Sequence, residues 1–143
     1  VPKPKLYLVG TQQVHNSSLP ILPSIQRELD IIQKLALDQN VTVEATHFAS
    51  QTATRASLRE AHWAHIACHG IQHPTKPLES SFCLADGHLS VSELMKLDLK
   101  DAVFAFLSAC ETAKGDAAQP DQVIHLAAAM LFVGFKSVAA TMW

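Results

Sequence analysis

Hydrophobic and polar positions switch between two periods along this chain, and each switch marks an element. Lys5-Leu-Tyr-Leu-Val9 is a short apolar run of β-prone residues closed by Gly10, and it predicts a buried strand. Residues 11–23 show no period, and Pro20 and Pro23 break them into loop. Ser24 stands where a helix N-cap belongs. Ile25, Leu29, Ile32 and Leu35 or Ala36 then recur at helical spacing, so one face of that helix is apolar. Val41-Thr-Val43 predicts a second strand, Thr54 to Ala61 a short helix, and Trp63 to Cys68 a third strand ended by His69-Gly70.

The second half continues in the same way. Residues 72–80 hold two prolines and predict a loop. Ser81-Phe-Cys-Leu84, Asp86-Gly87 and Leu89 predict a hairpin, because Asp-Gly supplies the positive φ angles of a tight turn. Ser90-x-x-Glu93 is a capping box for a short helix through Lys96. Ala102-Val-Phe-Ala-Phe-Leu107 lacks polar alternation, which predicts a strand covered on both faces and ended by Ser108-Ala-Cys-Glu-Thr112. Ala113 to Pro120 is a polar loop. Asp121 can cap a helix lined by Val123, Leu126, Ala127, Met130 and Leu131, with Gly134 at its stop, and Ser137 to Thr141 is a further strand. Strands alternating with helices predict an α/β fold with a mostly parallel sheet and helices on both faces. Sheets of this kind place ligands outside the carboxyl ends of their strands.

Composition narrows the classes. A chain of 143 residues, 48% hydrophobic and 17% charged, suits one folded domain spanning residues 1–143. A net charge of −2 gives no basic face, so nucleic acid is not an expected partner. No apolar run approaches the roughly 18 residues of a membrane span, so no membrane partner is expected either. Three cysteines fit no disulfide framework, and a reduced, cytoplasmic setting is the simplest reading. No nucleotide-binding glycine motif is present, and no cofactor is assigned. The chain starts at Val1 and stops at Trp143 inside an apolar run, which reads as part of a larger protein.

Two strands end in reactive residues: Cys68-His69-Gly70 on the third and Ser108-Ala-Cys110-Glu-Thr112 on the next long one. If the two are parallel neighbours, their tips open on one rim about 4.8 Å apart. A thiol attacks carbonyls as thiolate, and a neighbouring imidazole can take its proton and later return one to a leaving amine. His62, His65, Cys68 and His69 also invite a zinc reading. Along a strand, however, His65 and His69 share a face that Cys68 does not, so no metal is assigned. By the same alternation, Cys68 faces the core if His69 faces the cleft. Cys83, inside the hairpin, is read as packing.

Taken together, Ala64-His-Ile-Ala-Cys-His-Gly70, Leu84-Ala-Asp-Gly-His-Leu-Ser90, Leu107-Ser-Ala-Cys-Glu-Thr-Ala113 and Gly134-Phe-Lys-Ser-Val-Ala-Ala-Thr-Met-Trp143 resemble the CHAT family. CHAT domains are caspase-like, related to the caspases and separase, and often joined to TPR repeats. The resemblance covers nearly the whole chain and is strongest from Trp63 onward. It implies a caspase-like three-layer sandwich, truncated at the C-terminus, and a cysteine endopeptidase acting on a protein or peptide substrate. By that resemblance Cys110 matches the nucleophile and His69 the catalytic histidine. The backbone N–H groups of Gly70 and Cys110 match the oxyanion donors. It also implies TPR repeats as companions in a full-length chain. A regulatory or interaction domain that keeps the fold without proteolysis is the alternative.

Overall fold

The computed structural model describes residues 2–11, 23–71, 73, 75–111 and 121–141; of residues 77, 109–111 and 121–125 only the backbone is described. Residues 12–22 of the loop expected at 11–23, the whole of the loop expected at 113–120, and Trp143 lie outside the described residues. Five strands run parallel: β1 (Lys5–Gly10), β2 (Thr42–Thr46), β3 (Trp63–Ile71), β6 (Phe104–Glu111) and β7 (Ser137–Ala140). They stand in the order β2-β1-β3-β6-β7. An antiparallel hairpin, β4 (Ser81–Leu84) and β5 (Gly87–Ser90), joins β3 near its carboxyl end.

The position of that hairpin follows from edge occupancy. β6 runs along one edge of β3 from Trp63 to Gly70. On the other edge β1 pairs only as far as Ala67, and β4 then takes over at His69. The hairpin therefore continues the line of β1 in the opposite chain direction. This is why β3 extends to Ile71 instead of ending at Cys68 as its sequence pattern predicted: His69, Gly70 and Ile71 gain ladder partners on β4.

Among the described residues four α-helices complete three layers. Of these, α1 (Ser24–Leu37) is the one helix on its face, where Ile25 and Leu29 pack on Leu8 and Ala67. α2 (Gln51–Glu60), α3 (Val91–Leu94) and α4 (Asp121–Val133) cover the other face. There Leu58, Leu94, Leu126, Met130 and Val133 join Tyr7, Val9, Ile66, Cys68 and Leu107 in the larger core. The two-residue period of the strands sorts the sheet cleanly: Ala64, Ile66 and Cys68 face the larger core, while His65, Ala67 and His69 lie on the α1 face. Each fully buried Leu, Ile or Phe in these layers is worth about 1.5–3 kcal/mol in transfer free energy. Gly10 lets α1 come close, since a Cβ there would stand 2.5 Å from Leu29 Cδ1 and 2.7 Å from Ile25 Cγ2.

Several boundaries differ from the sequence pattern for identifiable reasons. Pro23, with φ −68° already helical, is the N-cap of α1, so Ser24 becomes the first helical residue instead of the cap. On α1 the choice between Leu35 and Ala36 falls to Ala36, because Leu35 is 63% exposed. β2 runs to Thr46, beyond Val43, as β1 offers it partners from Lys5 to Val9. α2 begins at Gln51, ahead of Thr54, because Ser50 Oγ accepts the Ala53 N–H at 3.1 Å and Asp86 Oδ1 accepts the Gln51 N–H at 2.9 Å. In the hairpin, Leu84 pairs with Gly87, so Ala85 and Asp86 form the turn and Gly87 (φ +146°) follows it. α3 stops at Leu94; Ser90 Oγ accepts the Glu93 N–H as expected, but the Glu93 carboxylate turns to Lys96 and Arg55. Asp121 is the first residue of α4, not a flanking cap. Leu131 is exposed because Leu126, Ala129, Met130 and Val133 already fill the buried face of that helix. Among the described residues no helix is long and apolar enough to cross a membrane.

Candidate active site

β3 and β6 are neighbouring parallel strands, and their register sets His69 opposite Cys110. In a parallel pair, register partners lie on the same face, at the ladder spacing of about 4.8 Å. Position 110 therefore falls on the α1 face with Phe106 and Ser108, four and two residues before it, and with His69 across the ladder. Gly70 sits between two strands, registered to Phe82 on β4 and to Glu111 on β6.

His69 is 2% exposed. Its other flank is occupied by Cys83, its register partner on β4, and Cys83 in turn pairs with His88 on β5. A single row across four strands thus reads His88, Cys83, His69, Cys110. The sequence pattern missed this juxtaposition, because nothing local in Ser81–Leu84 shows that the hairpin docks on the tip of β3. Cys83 is fully buried and is a thiol, not half of a disulfide. Burial pushes that thiol up to about 11, so it is neutral at ordinary pH. Cys68 lies in the core on the opposite face, as strand alternation predicted.

The zinc constellation is dispersed. His65 and His69 share the α1 face while Cys68 does not. His62 accepts the Lys5 backbone N–H on Nδ1 at 3.0 Å. His65 is engaged with Glu28. Among the described residues no group of three or more His, Cys, Asp or Glu side chains converges as a metal site.

A second polar cluster lies beneath α1, one step back from the strand tips. Glu28 Oε1 accepts from His65 Nε2 at 2.6 Å, and Glu28 Oε2 accepts from Ser108 Oγ at 3.4 Å. The His65 ring stacks on Phe106, with centroids 5.0 Å apart and planes 5° from parallel. His65 is buried, and desolvation holds its pKa below the ordinary imidazole value even though Glu28 pulls the other way. None of these residues was singled out by the sequence as a unit. The available signal was a carboxylate at position 28, flanking the inward arc of Ile25, Leu29 and Ile32 on a helical wheel.

The arrangement is an α/β domain with a mostly parallel seven-stranded sheet, bearing a His and a Cys on adjacent strands near their carboxyl ends. The family model described as CHAT domain matches residues 3–143. The chain belongs to the CHAT domain family, a caspase-like family, and its fold agrees with that membership. No curated protein matches it.

Proposed function

We propose that this chain is a caspase-like cysteine endopeptidase domain that hydrolyses peptide bonds through a Cys110–His69 dyad. The observation that supports it best is the register of β3 and β6, which sets the two positions opposite each other on one face. His69 takes the proton of the Cys110 thiol, and the thiolate sulfur adds to the substrate carbonyl carbon. The carbonyl oxygen becomes an oxyanion, for which the N–H groups of Gly70 and Cys110 are the proposed donors. Gly70 has strands on both edges, so this role requires the ladder to give up its N–H when substrate enters. The imidazolium then passes its proton to the leaving amine as the C–N bond breaks, leaving a thioester. His69 next deprotonates a water that attacks the thioester carbon. The C–S bond breaks, and the sulfur recovers its proton from the imidazolium. The substrate class is protein or peptide. TPR repeats in the same full-length chain are the proposed companions, and a reduced cytoplasmic setting suits the thiol chemistry.

The burial of His69 favours one alternative, a regulatory or protein-interaction domain that retains the fold without turnover. Cleavage of an unstructured protein substrate by the intact protein separates the two readings. Cys110→Ala and His69→Ala are each expected to abolish cleavage. Retention of cleavage by both variants refutes the dyad.

A further inference from the structure

We propose that Glu28 is a positioning residue for the Cys110–His69 dyad, its one carboxylate tying α1 to both strands that carry the pair, through His65 on β3 and Ser108 on β6. The inference rests on the dyad reading and extends it to a third element.

The geometry is specific. The two Glu28 oxygens go to different strands: Oε1 to His65 Nε2 at 2.6 Å and Oε2 to Ser108 Oγ at 3.4 Å. The first contact is short and charge-assisted; the second is at the long end of a hydrogen bond and is the weaker link. His65 lies four residues before His69, and Ser108 two residues before Cys110, each pair on the same face by the strand period. His65 also stacks on Phe106, its register partner, so the imidazole bridges β3 and β6 below the carboxylate. Glu28, His65, Phe106 and Ser108 thus form a brace across the strand pair, two to four residues behind the proposed reacting groups.

The chemistry requires a carboxylate. A neutral imidazole donates one N–H and a hydroxyl donates one O–H, and only an ionised carboxyl presents an acceptor oxygen to each. The Glu28 side chain is 31% exposed and sits against the flank of an apolar helix face. A partly desolvated charge there is a penalty for packing alone, and it is offset by the two donors it receives. Reacting groups tolerate little displacement, so a brace acting on both strands bears directly on the dyad.

The test is the pH dependence of Cys110 alkylation by iodoacetamide in the intact protein, resolved peptide by peptide by mass spectrometry. The wild type should show a midpoint below the value of about 8.5 for an ordinary thiol, and His69→Ala should return it there. Glu28→Gln removes one acceptor and should raise the midpoint by about one unit, slowing labelling near neutrality about tenfold. Ser108→Ala removes only the β6 link and should shift the midpoint in the same direction by less, which keeps the test available if Glu28→Gln does not fold. Ile32→Ala loosens the packing of α1 while leaving the carboxylate in place. It should lower the melting temperature without moving the midpoint. Glu28→Gln and Ser108→Ala variants that lose stability but keep the wild-type midpoint overturn the proposal, since Glu28 is then a structural tie only. A wild-type midpoint that is ordinary and indifferent to His69→Ala overturns the dyad itself, a different result from the first.

Discussion

His69 and Cys83 are register partners across the antiparallel β3–β4 pair, so the imidazole proposed as the catalytic base has a buried thiol position on the flank away from Cys110. Two cysteine positions therefore border one histidine, and burial sets Cys83 apart from the proposed nucleophile. Cys83 is fully buried, and desolvation raises its thiol to about 11. A thiol that stays protonated is a poor nucleophile.

That difference is measurable. In the native protein at about pH 8, Cys83 should react with an alkylating agent orders of magnitude more slowly than an exposed thiol. It should become fully reactive in denaturant. Rapid native-state labelling of Cys83 contradicts its burial.

His65 predicts a pH dependence of stability. Its folded pKa lies below the ordinary imidazole value of 6.5, chiefly through desolvation. Below 6.5 the unfolded chain binds a proton that the folded chain does not, so stability falls as pH drops from 6.5 towards the depressed folded value. Above that window the contribution is constant. His65→Gln can still donate to Glu28 but does not titrate. Urea midpoints measured between about pH 7.5 and 5 should fall less for this variant than for the wild type. Parallel curves contradict the assignment.

Leu29 holds α1 to the sheet. It is fully buried in the smaller core with Leu8, Ile25 and Ala67. Leu29→Ala should destabilise the protein by about 2–5 kcal/mol, read from urea denaturation. A loss under about 1 kcal/mol shows that α1 packs elsewhere.

Gly134 turns the chain from α4 into β7 at φ +132°, and a Cβ there meets the Leu99 carbonyl oxygen, with Leu99 Cβ at 3.2 Å. Both the backbone region and the backbone contact oppose a side chain. Gly134→Ala should lower stability by more than about 2 kcal/mol, with β7 losing amide protection first in hydrogen exchange. Wild-type protection in that variant refutes the clash.

The contrast between Cys68 and Cys83 shows what the sequence carried and what it did not. Strand period alone placed Cys68 and His69 on opposite faces, because alternation is a local property of the backbone. The pairing of Cys83 with His69 depends on a hairpin docking where β1 runs out, a long-range fact with no local signature. The same holds for Glu28. Its helix was legible from Ile25, Leu29 and Ile32, but its partners sit 37 and 80 residues away. Edges moved for similar reasons: β2 and β3 lengthened where a neighbouring strand offered hydrogen bonds, which propensity cannot register. The burial of His69 was also unanticipated. Its rim position suggested an open tip, whereas β4 closes one flank and β6 the other.

The dyad is tested most directly by trapping its covalent intermediate. The intact protein would be mixed with a library of unstructured peptides, quenched in acid during turnover, and digested for mass spectrometry. The account predicts a peptidyl thioester on Cys110 that disappears in both Cys110→Ala and His69→Ala. Cleavage that proceeds with no acyl group on Cys110, or with one on another residue, contradicts it.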